Sequence, residues 1–355
     1  MTEKDIILEG GFGIKYKKVP QGLRDTYGQP PFSVLDARQG PWQARKRKWL
    51  ALGIQSEIGR GDNLLNFSET TKLKKKNYGV AIVGEIARDI DYYRNKEAKK
   101  TGKGMSLQTN IGEKFNRKLT TGTSIFDPVL CELMYNWFCP EAGDVLDPFC
   151  GGSVRGVVAG FLGHEYTGFD LSKEQVLSND FQLNHQINLG GCINPLPKWI
   201  CDDSSNMFNY IEDREFDFVF SCPPYGNLEV YSDDPRDISN KSYEKFLTQY
   251  DLIISKACQK LKTNRFACFV VANFRDKTTG FYHDFVGDTV YSFKQAGLNF
   301  YNEIILVNSI GTLPIRVGKQ FKKFRKVGKT HQNILVFYKG ENHKDTEKIS
   351  FKEGV

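Results

Sequence analysis

The chain predicts an α/β protein built on a doubly wound, mainly parallel sheet. Three observations carry that prediction. From about residue 123, apolar runs of strand length alternate with segments of helix length, and that order implies a parallel sheet with right-handed crossovers. Successive strands end in an acid or a rigid turn, at Asp147, Asp170, Asp203 and Cys222-Pro223-Pro224, where open α/β sheets hold their ligands. The 355 residues are 40% hydrophobic and 26% charged, ordinary for a globular chain with room for a sizeable core.

Taken in order, residues 1–115 form an N-terminal extension. It opens with glycine- and proline-punctuated sequence, GGFG at 10–13 reading as an ordinary turn, and continues through PPFSVLD. After the breaker Gly40-Pro41, WQARKRKWLALGI has helix-forming composition. Trp42 and Trp49 fall on about the same face, a spacing that suits a packing stripe. The basic run Arg45, Lys46, Arg47 and Lys48 between them keeps a nucleic-acid role open. VAIVGEIARDIDYY, residues 80–93, reads as a helix, and residues 95–119 read as a polar connector poor in large apolar groups.

Residues 116–340 form the main domain. A helix (DPVLCELMYNWF) leads into a strand (DVLD), a glycine loop and helix (PFCGGSVRGVVAGFLG), a strand (EYTGFD) and a helix (KEQVLSNDFQLNHQI). Strands KWICDD and FDFVFSC follow, then a long helix (YEKFLTQYDLIISKACQKL), a strand (RFACFVVAN) and a helix (FVGDTVYSFKQAG). Two strands, NEIILVNS and HQNILVFYK, close the pattern around a basic loop, and residues 341–355 are a polar tail.

Composition excludes several classes. No run approaches the ~18 apolar residues of a membrane span, and the opening MTEKDIILEGG lacks a signal-peptide pattern, so the expected location is the cytoplasm. The eight cysteines include no C-x-x-C pair and no nearby histidine at zinc-like spacing, so neither a disulfide framework nor a metal site is expected. The formal charge is +7, and residues 311–330 account for all of it: Arg316, Lys319, Lys322, Lys323, Arg325, Lys326 and Lys329, with no acid among them. A basic loop interrupted by Phe321 and Phe324 suits a nucleic-acid backbone with bases nearby.

The strand ends carry the chemistry. Glycines after Asp147 let backbone approach a ligand, and N–H groups at the next helix start favour an anionic group. The loop is neither G-x-x-x-x-G-K nor G-x-G-x-x-G. Asp170, 23 residues after Asp147, is placed to accept from ribose hydroxyls, and Asp203 can take an exocyclic amine. Each acid alone also reads as a cap or turn residue. Together they imply a nucleoside with an anionic tail and no phosphate. Pro223 and Pro224 make a stiff, donor-poor corner, which reads either as a strand terminator or as a pocket wall.

DPFCGGS followed by GFDLS, CDDS and CPPY resembles the motif series of S-adenosylmethionine-dependent amino-methyltransferases that modify an exocyclic nitrogen of a DNA base. SIFDPVLCELMYNWF and THQNILVFYK are similar to the helix before the glycine loop and to a late strand of the same enzymes. The likeness runs in order from about residue 123 to 340 and, with PPFSVLD, extends to bacteriophage-type DNA methylases. It implies a Rossmann-like sheet of seven strands, S-adenosylmethionine as cofactor and double-stranded DNA as partner, and leaves the oligomeric state open. It also implies that Phe149, Gly151 and Gly152 surround the amino-acid part of the cofactor. Asp147 stands at the head of that loop, Thr123 and Ser124 reach the carboxylate, Asp170 the ribose and Asp203 the adenine. The target base belongs to Cys222, Pro223, Pro224 and Tyr225, with Tyr225 stacking on it, and DNA contacts to the basic loop.

Two positions depart from the pattern. Cys222 stands where the family has aspartate, asparagine or serine, and its shape leans toward the serine-type enzymes acting on cytosine N4, with adenine N6 still open. Ser153 stands where the family usually has glycine. An RNA or protein amino-methyltransferase and a non-catalytic DNA-binding relative are the rival expectations.

Overall fold

The computed structural model describes residues 7–9, 15–17, 22–38, 40–54, 126–188, 190–226, 228, 231–232, 234–311 and 313–351. The expected turn at 10–13, helix at 80–93, connector at 95–119, and Thr123 and Ser124 lie outside the described residues. Contacts divide the chain into two units. One comprises residues 1–59, 125–228 and 232–355; the other comprises 60–124 and 229–231, of which Tyr231 alone is described.

The first unit begins with the short strands β1 (Ile7–Glu9) and β2 (Lys15–Lys17), helix α1 (Leu23–Tyr27), strand β3 (Val34–Asp36) and helix α2 (Gly40–Ala51). Then come α3 (Pro128–Phe138), β4 (Asp144–Asp147), α4 (Val154–Phe161), β5 (Glu165–Asp170), α5 (Lys173–Asn188) and β6 (Lys198–Cys201). Next are α6 (Phe208–Ile211), β7 (Phe216–Ser221), α7 (Tyr243–Lys260), β8 (Leu261–Val271), β9 (Phe274–Arg275) and β10 (Tyr282–His283). The order ends with α8 (Phe285–Gln295), β11 (Asn299–Val307), α9 (Leu313–Phe324) and β12 (His331–Lys339).

The main sheet has the order β3-β11-β12-β8-β7-β4-β5-β6. Strands β4 to β8 are mutually parallel, β12 runs antiparallel to both β8 and β11, and β3 pairs parallel with β11. This is the doubly wound, Rossmann-like architecture the sequence predicts, with eight strands in place of seven. The eighth is β3, from the PPFSVLD segment, which adds along Ile305–Val307 as an edge strand. Part of the expected extension is therefore built into the sheet.

Period-two alternation sorts the side chains of each strand to opposite faces. Phe218, Phe220, Phe266, Cys268, Val270, Ile334 and Val336 join one core cluster with residues of α2, α3 and α4, while Val219, Ala267, Phe269, Val271, Leu335 and Phe337 join the other with residues of α7 and α8. All six residues of β7 are buried, as a central parallel strand covered on both sides requires. Helix α3 starts where Asp127 accepts from Val129 N and Pro128 occupies the first turn, a position that needs no N–H. Chain order reverses between β4 and β7, so the crevice at their carboxyl ends is the topological switch point.

Two elements differ from the sequence reading. The strand around RFACFVVAN starts at Leu261, directly from the end of α7. The basic loop is mostly a helix, α9. Pro314 falls in its first turn, where proline is tolerated, and Arg325 follows with φ of 57° and donates from its N–H to Phe321 O at 2.9 Å, closing the last turn.

Candidate active site

The glycine loop is set by a buried ion pair. Asp147 is fully buried, and its carboxylate accepts from Arg155 Nε at 2.5 Å, Ser221 Oγ at 2.6 Å, Tyr166 OH at 2.7 Å and Phe149 N at 3.2 Å. Expected among the ligand-facing acids, it instead has its acceptors taken up by the protein's own donors. Arg155 Nη2 also donates to the carbonyls of Phe149 (2.6 Å) and Cys150 (2.8 Å), and its guanidinium lies 4.5 Å from the centroid of the Phe126 ring. Burial pulls its pKa down, but Asp147 beside it outweighs burial and holds it well above the ordinary arginine value. Burial likewise drives the Cys150 thiol up, reinforced by Asp170 and Asp147, leaving a neutral packing group.

Sequence reasoning passed over Arg155. Its signal was a lone cation within VRGVVAGF, a helix otherwise apolar and buried along most of its length.

With both carbonyls drawn inward by Arg155, Gly151 turns into the left-handed region at φ 50°. Its N–H donates to Asp170 Oδ2 at 3.1 Å, and its carbonyl accepts from Asn179 Nδ2 at 2.7 Å. Gly152 is buried beside it. Ser153, where the family resemblance expects glycine, gives its hydroxyl to Gln182 Oε1 at 2.6 Å, so the extra side chain is absorbed by α5.

Asp170 ends β5, partly exposed, and also accepts from Ser172 N at 2.8 Å. Asp203 caps a short 3-10 turn by accepting from Ser205 N at 2.8 Å, and its Oδ2 has no partner among the described residues. Ser204 Oγ donates to Pro148 O at 2.5 Å, tying the β6 turn to the glycine loop. The structure thus brings Asp147, Phe149, Gly151, Gly152, Asp170 and Asp203 together at the ends of β4, β5 and β6.

The proline corner is joined to this loop through one hydroxyl. Ser221, the last residue of β7, donates to Asp147 and accepts from Phe149 N at 3.1 Å. Cys222 Sγ lies 3.9 Å from Tyr225 OH. That hydroxyl donates to Val270 O at 3.5 Å and accepts from Gln332 Nε2 at 2.8 Å, and Gln332 Oε1 accepts from Asn308 Nδ2 at 3.1 Å. The Tyr225 ring packs 6.0 Å from Phe285. Pro223 is buried, and Pro224 and Tyr225 are half-buried. Gly226 closes the corner at φ 53°, where a Cβ would meet Phe274 Cζ at 2.5 Å. Ser221, Gly226 and Gln332 were not singled out from the sequence, although the first and second flank the motif.

The basic segment lies between β11 and β12. Lys319, Lys322, Lys323 and Arg325 are exposed, Lys326 and Lys329 are half-buried, and Arg316 belongs to α9. Lys329 Nζ donates to Asn273 O at 3.3 Å, and burial lowers its pKa. Phe321 and Phe324 are exposed, with the Arg325 guanidinium 5.4 Å from one ring and Lys323 Nζ 5.0 Å from the other.

The basic run of α2 behaves differently. Arg45 pairs with Glu132 at 2.6 Å and Lys46 with Asp127 at 3.0 Å, while the indole N–H groups of Trp42 and Trp49 donate to the same two acids. Both tryptophans are buried, so this helix is a packing stripe bolted to α3.

No protein-family model matches the chain, and no curated protein does. Similar solved structures include TrmN from Thermus thermophilus, at 13% identity and TM-score 0.39, over 60% of this chain and 49% of that one. A SAM-dependent methyltransferase from Methanosarcina mazei matches at 13% identity and TM-score 0.39, over 62% of this chain and 100% of that one. Magnesium protoporphyrin IX methyltransferase from Synechocystis, with bound SAM, matches at 12% identity and TM-score 0.38, over 65% of this chain and 92% of that one.

Proposed function

We propose that the protein transfers a methyl group from S-adenosylmethionine to an exocyclic amine of a base in double-stranded DNA, cytosine N4 or adenine N6. The observation that carries this reading is the pair of hydrogen bonds made by Ser221, which join the glycine loop to the CPPY corner at the switch point. A two-substrate transfer needs two pockets that meet, held rigid relative to each other.

The residues fit the cofactor. Gly151 lets backbone come close to an amino-acid tail, and no phosphate-gripping loop is present in the sequence. Asp170 and Asp203 are partly exposed, as acceptors for ribose hydroxyls and an adenine amine must be. Bound S-adenosylmethionine supplies a methyl group activated by its sulfonium.

For the base, the chain's own task is orientation. An exocyclic amine shares its lone pair with the ring and has two protons to satisfy. In this reading the Pro223 carbonyl and Cys222 accept hydrogen bonds from those N–H groups, Tyr225 stacks on the ring, and rigid acceptors in a dry pocket stabilise the developing positive charge. The Gln332 hydrogen bond holds the hydroxyl end of Tyr225 in place. Cys222, closest in shape to serine, favours cytosine N4. The base reaches this pocket only by leaving the duplex, while Arg316, Lys319, Lys322, Lys323, Arg325, Lys326 and Lys329 hold the phosphates.

One observation favours a second reading. The exposed rings of Phe321 and Phe324 beside cations also suit unpaired bases, and hence methylation of RNA. Incubation with methyl-labelled S-adenosylmethionine and unmodified duplex DNA or RNA, then digestion to nucleosides and mass spectrometry, separates the two. N4-methylcytosine or N6-methyladenine in DNA is the expected product. Label confined to RNA transfers the conclusion to the second reading, and no label in either overturns both.

A further inference from the structure

The segment NFRDKTTGFYH, residues 273–283, follows β8. It forms the two-stranded hairpin β9–β10, with Tyr282 opposite Arg275 and His283 opposite Phe274. Beside its turn, opposite Asp276, stands Phe281, which at 76% is the most exposed large hydrophobic side chain among the described residues.

The tip is built rigid. Asp276 N donates to Phe281 O and Gly280 N to Asp276 O, both at 2.9 Å, with Gly280 at φ 74°. The Asp276 carboxylate accepts from Thr278 N at 3.0 Å, Thr279 N at 2.6 Å and Thr279 Oγ1 at 2.9 Å. Arg275 donates to Gly280 O at 3.1 Å while its guanidinium lies 3.9 Å from the centroid of the Tyr282 ring. Phe281 is thus presented by a preorganised frame.

The base of the hairpin is anchored in both halves of the proposed DNA site. Phe274 packs against Gly226, the residue after Tyr225, and the rings of Phe274 and Tyr225 each lie 6.0 Å from Phe285. Lys329 donates to Asn273 O, and Lys326 Nζ sits so close to Gly280 that a side chain there would collide with it. The hairpin therefore bridges the base corner and the cationic segment, whose seven positive charges complement a phosphate backbone.

We infer that this hairpin is a wedge for double-stranded DNA: Phe281 enters the base stack and fills the space left when the target base swings toward Tyr225. Apolar side chains inserted between base steps are an established way of unstacking a duplex, and the energy they recover offsets part of the cost of extruding a base. The inference rests on the proposed methylation of duplex DNA and adds to it the residue that opens the duplex.

The test uses the full chain and a duplex with 2-aminopurine beside the methylated position, located beforehand by sequencing the methylated duplex. Wild-type protein is expected to raise the fluorescence on binding. Phe281→Ala is expected to remove most of that rise and to slow methylation of the paired duplex by about tenfold, the scale of losing one base–aromatic contact. The loss should be several-fold smaller on a duplex mismatched at the target, where the base is already unpaired, and Phe281→Trp should restore both signals. Equal fluorescence and equal methylation by Phe281→Ala and wild type on the paired duplex would overturn the wedge while leaving the methylation reading intact. Wild-type protein that labels no DNA would overturn both.

Discussion

Arg155 and Asp147 form the ion pair on which the glycine loop is built: 2.5 Å from Nε to Oδ2, with side chains 5% and 0% exposed. The same guanidinium holds the Phe149 and Cys150 carbonyls. Removing it leaves a buried carboxylate without its cation. Arg155→Met is expected to lower stability by about 3–5 kcal/mol, read as a shift in the urea midpoint. Arg155→Lys keeps a charge but not the planar fork, so its midpoint should fall between the two.

In the proposed reaction Tyr225 acts through its ring and its hydroxyl separately. Tyr225→Ala should slow methyl transfer by ten- to hundredfold, roughly the worth of one base–aromatic stack. Tyr225→Phe keeps the ring and loses the Gln332 hydrogen bond, a change of about 1 kcal/mol, or roughly fivefold. Gln332→Ala should resemble Tyr225→Phe in single-turnover rates; a loss as large as that of Tyr225→Ala would show that the amide, not the ring, dominates.

Two glycines with positive φ make a matched comparison. Gly226 at φ 53° faces the Phe274 ring, whereas Gly163 at φ 84° has nothing within 4 Å. Gly163→Ala should cost only the backbone strain, about 1 kcal/mol. Gly226→Ala adds a collision beside the base corner and should lose both stability and activity. Replacing Phe274 by Leu in the same chain should recover part of the stability.

Asp217 sets an acid limit on the sheet. Burial alone would raise its pKa, but hydrogen bonds from Lys262 and Arg265 outweigh it and hold the folded value below 3.8. A carboxyl depressed on folding contributes stability above its unfolded pKa and loses it as the pH falls through the folded one. Because the pair is partly solvated, Asp217→Asn should cost about 1–2 kcal/mol at neutral pH. The gap from wild type should close as the pH drops below 3.8, which denaturation across pH will show.

Local patterning made most of the fold legible. β7 reads as a buried strand because each of its residues is apolar or small except Asp217, and Asp217 lies near the strand start, where Lys262 and Arg265 reach it. The acids at the ends of β4, β5 and β6 stand out because a strand end is where polarity interrupts an apolar run. Helix α9 is hard to see in the sequence because seven cations in 311–330 mask an amphipathic period, and β3 escapes it because three residues carry too little periodicity to assign a partner.

By itself the sequence determined most of the strands and helices from β4 to β12, that acids and a proline corner stand at the strand ends, and that one segment holds all of the net charge. Those are properties of residues close together in the chain, where backbone preference and hydrophobic period act. Only the tertiary structure decided that Asp147 turns inward to Arg155, that Ser221 ties Phe149 to the proline corner across 72 residues, and that Gln332 holds Tyr225 across 107. Such bonds form between groups that strand order and helix packing bring together, and that packing leaves no mark in the local sequence of either partner.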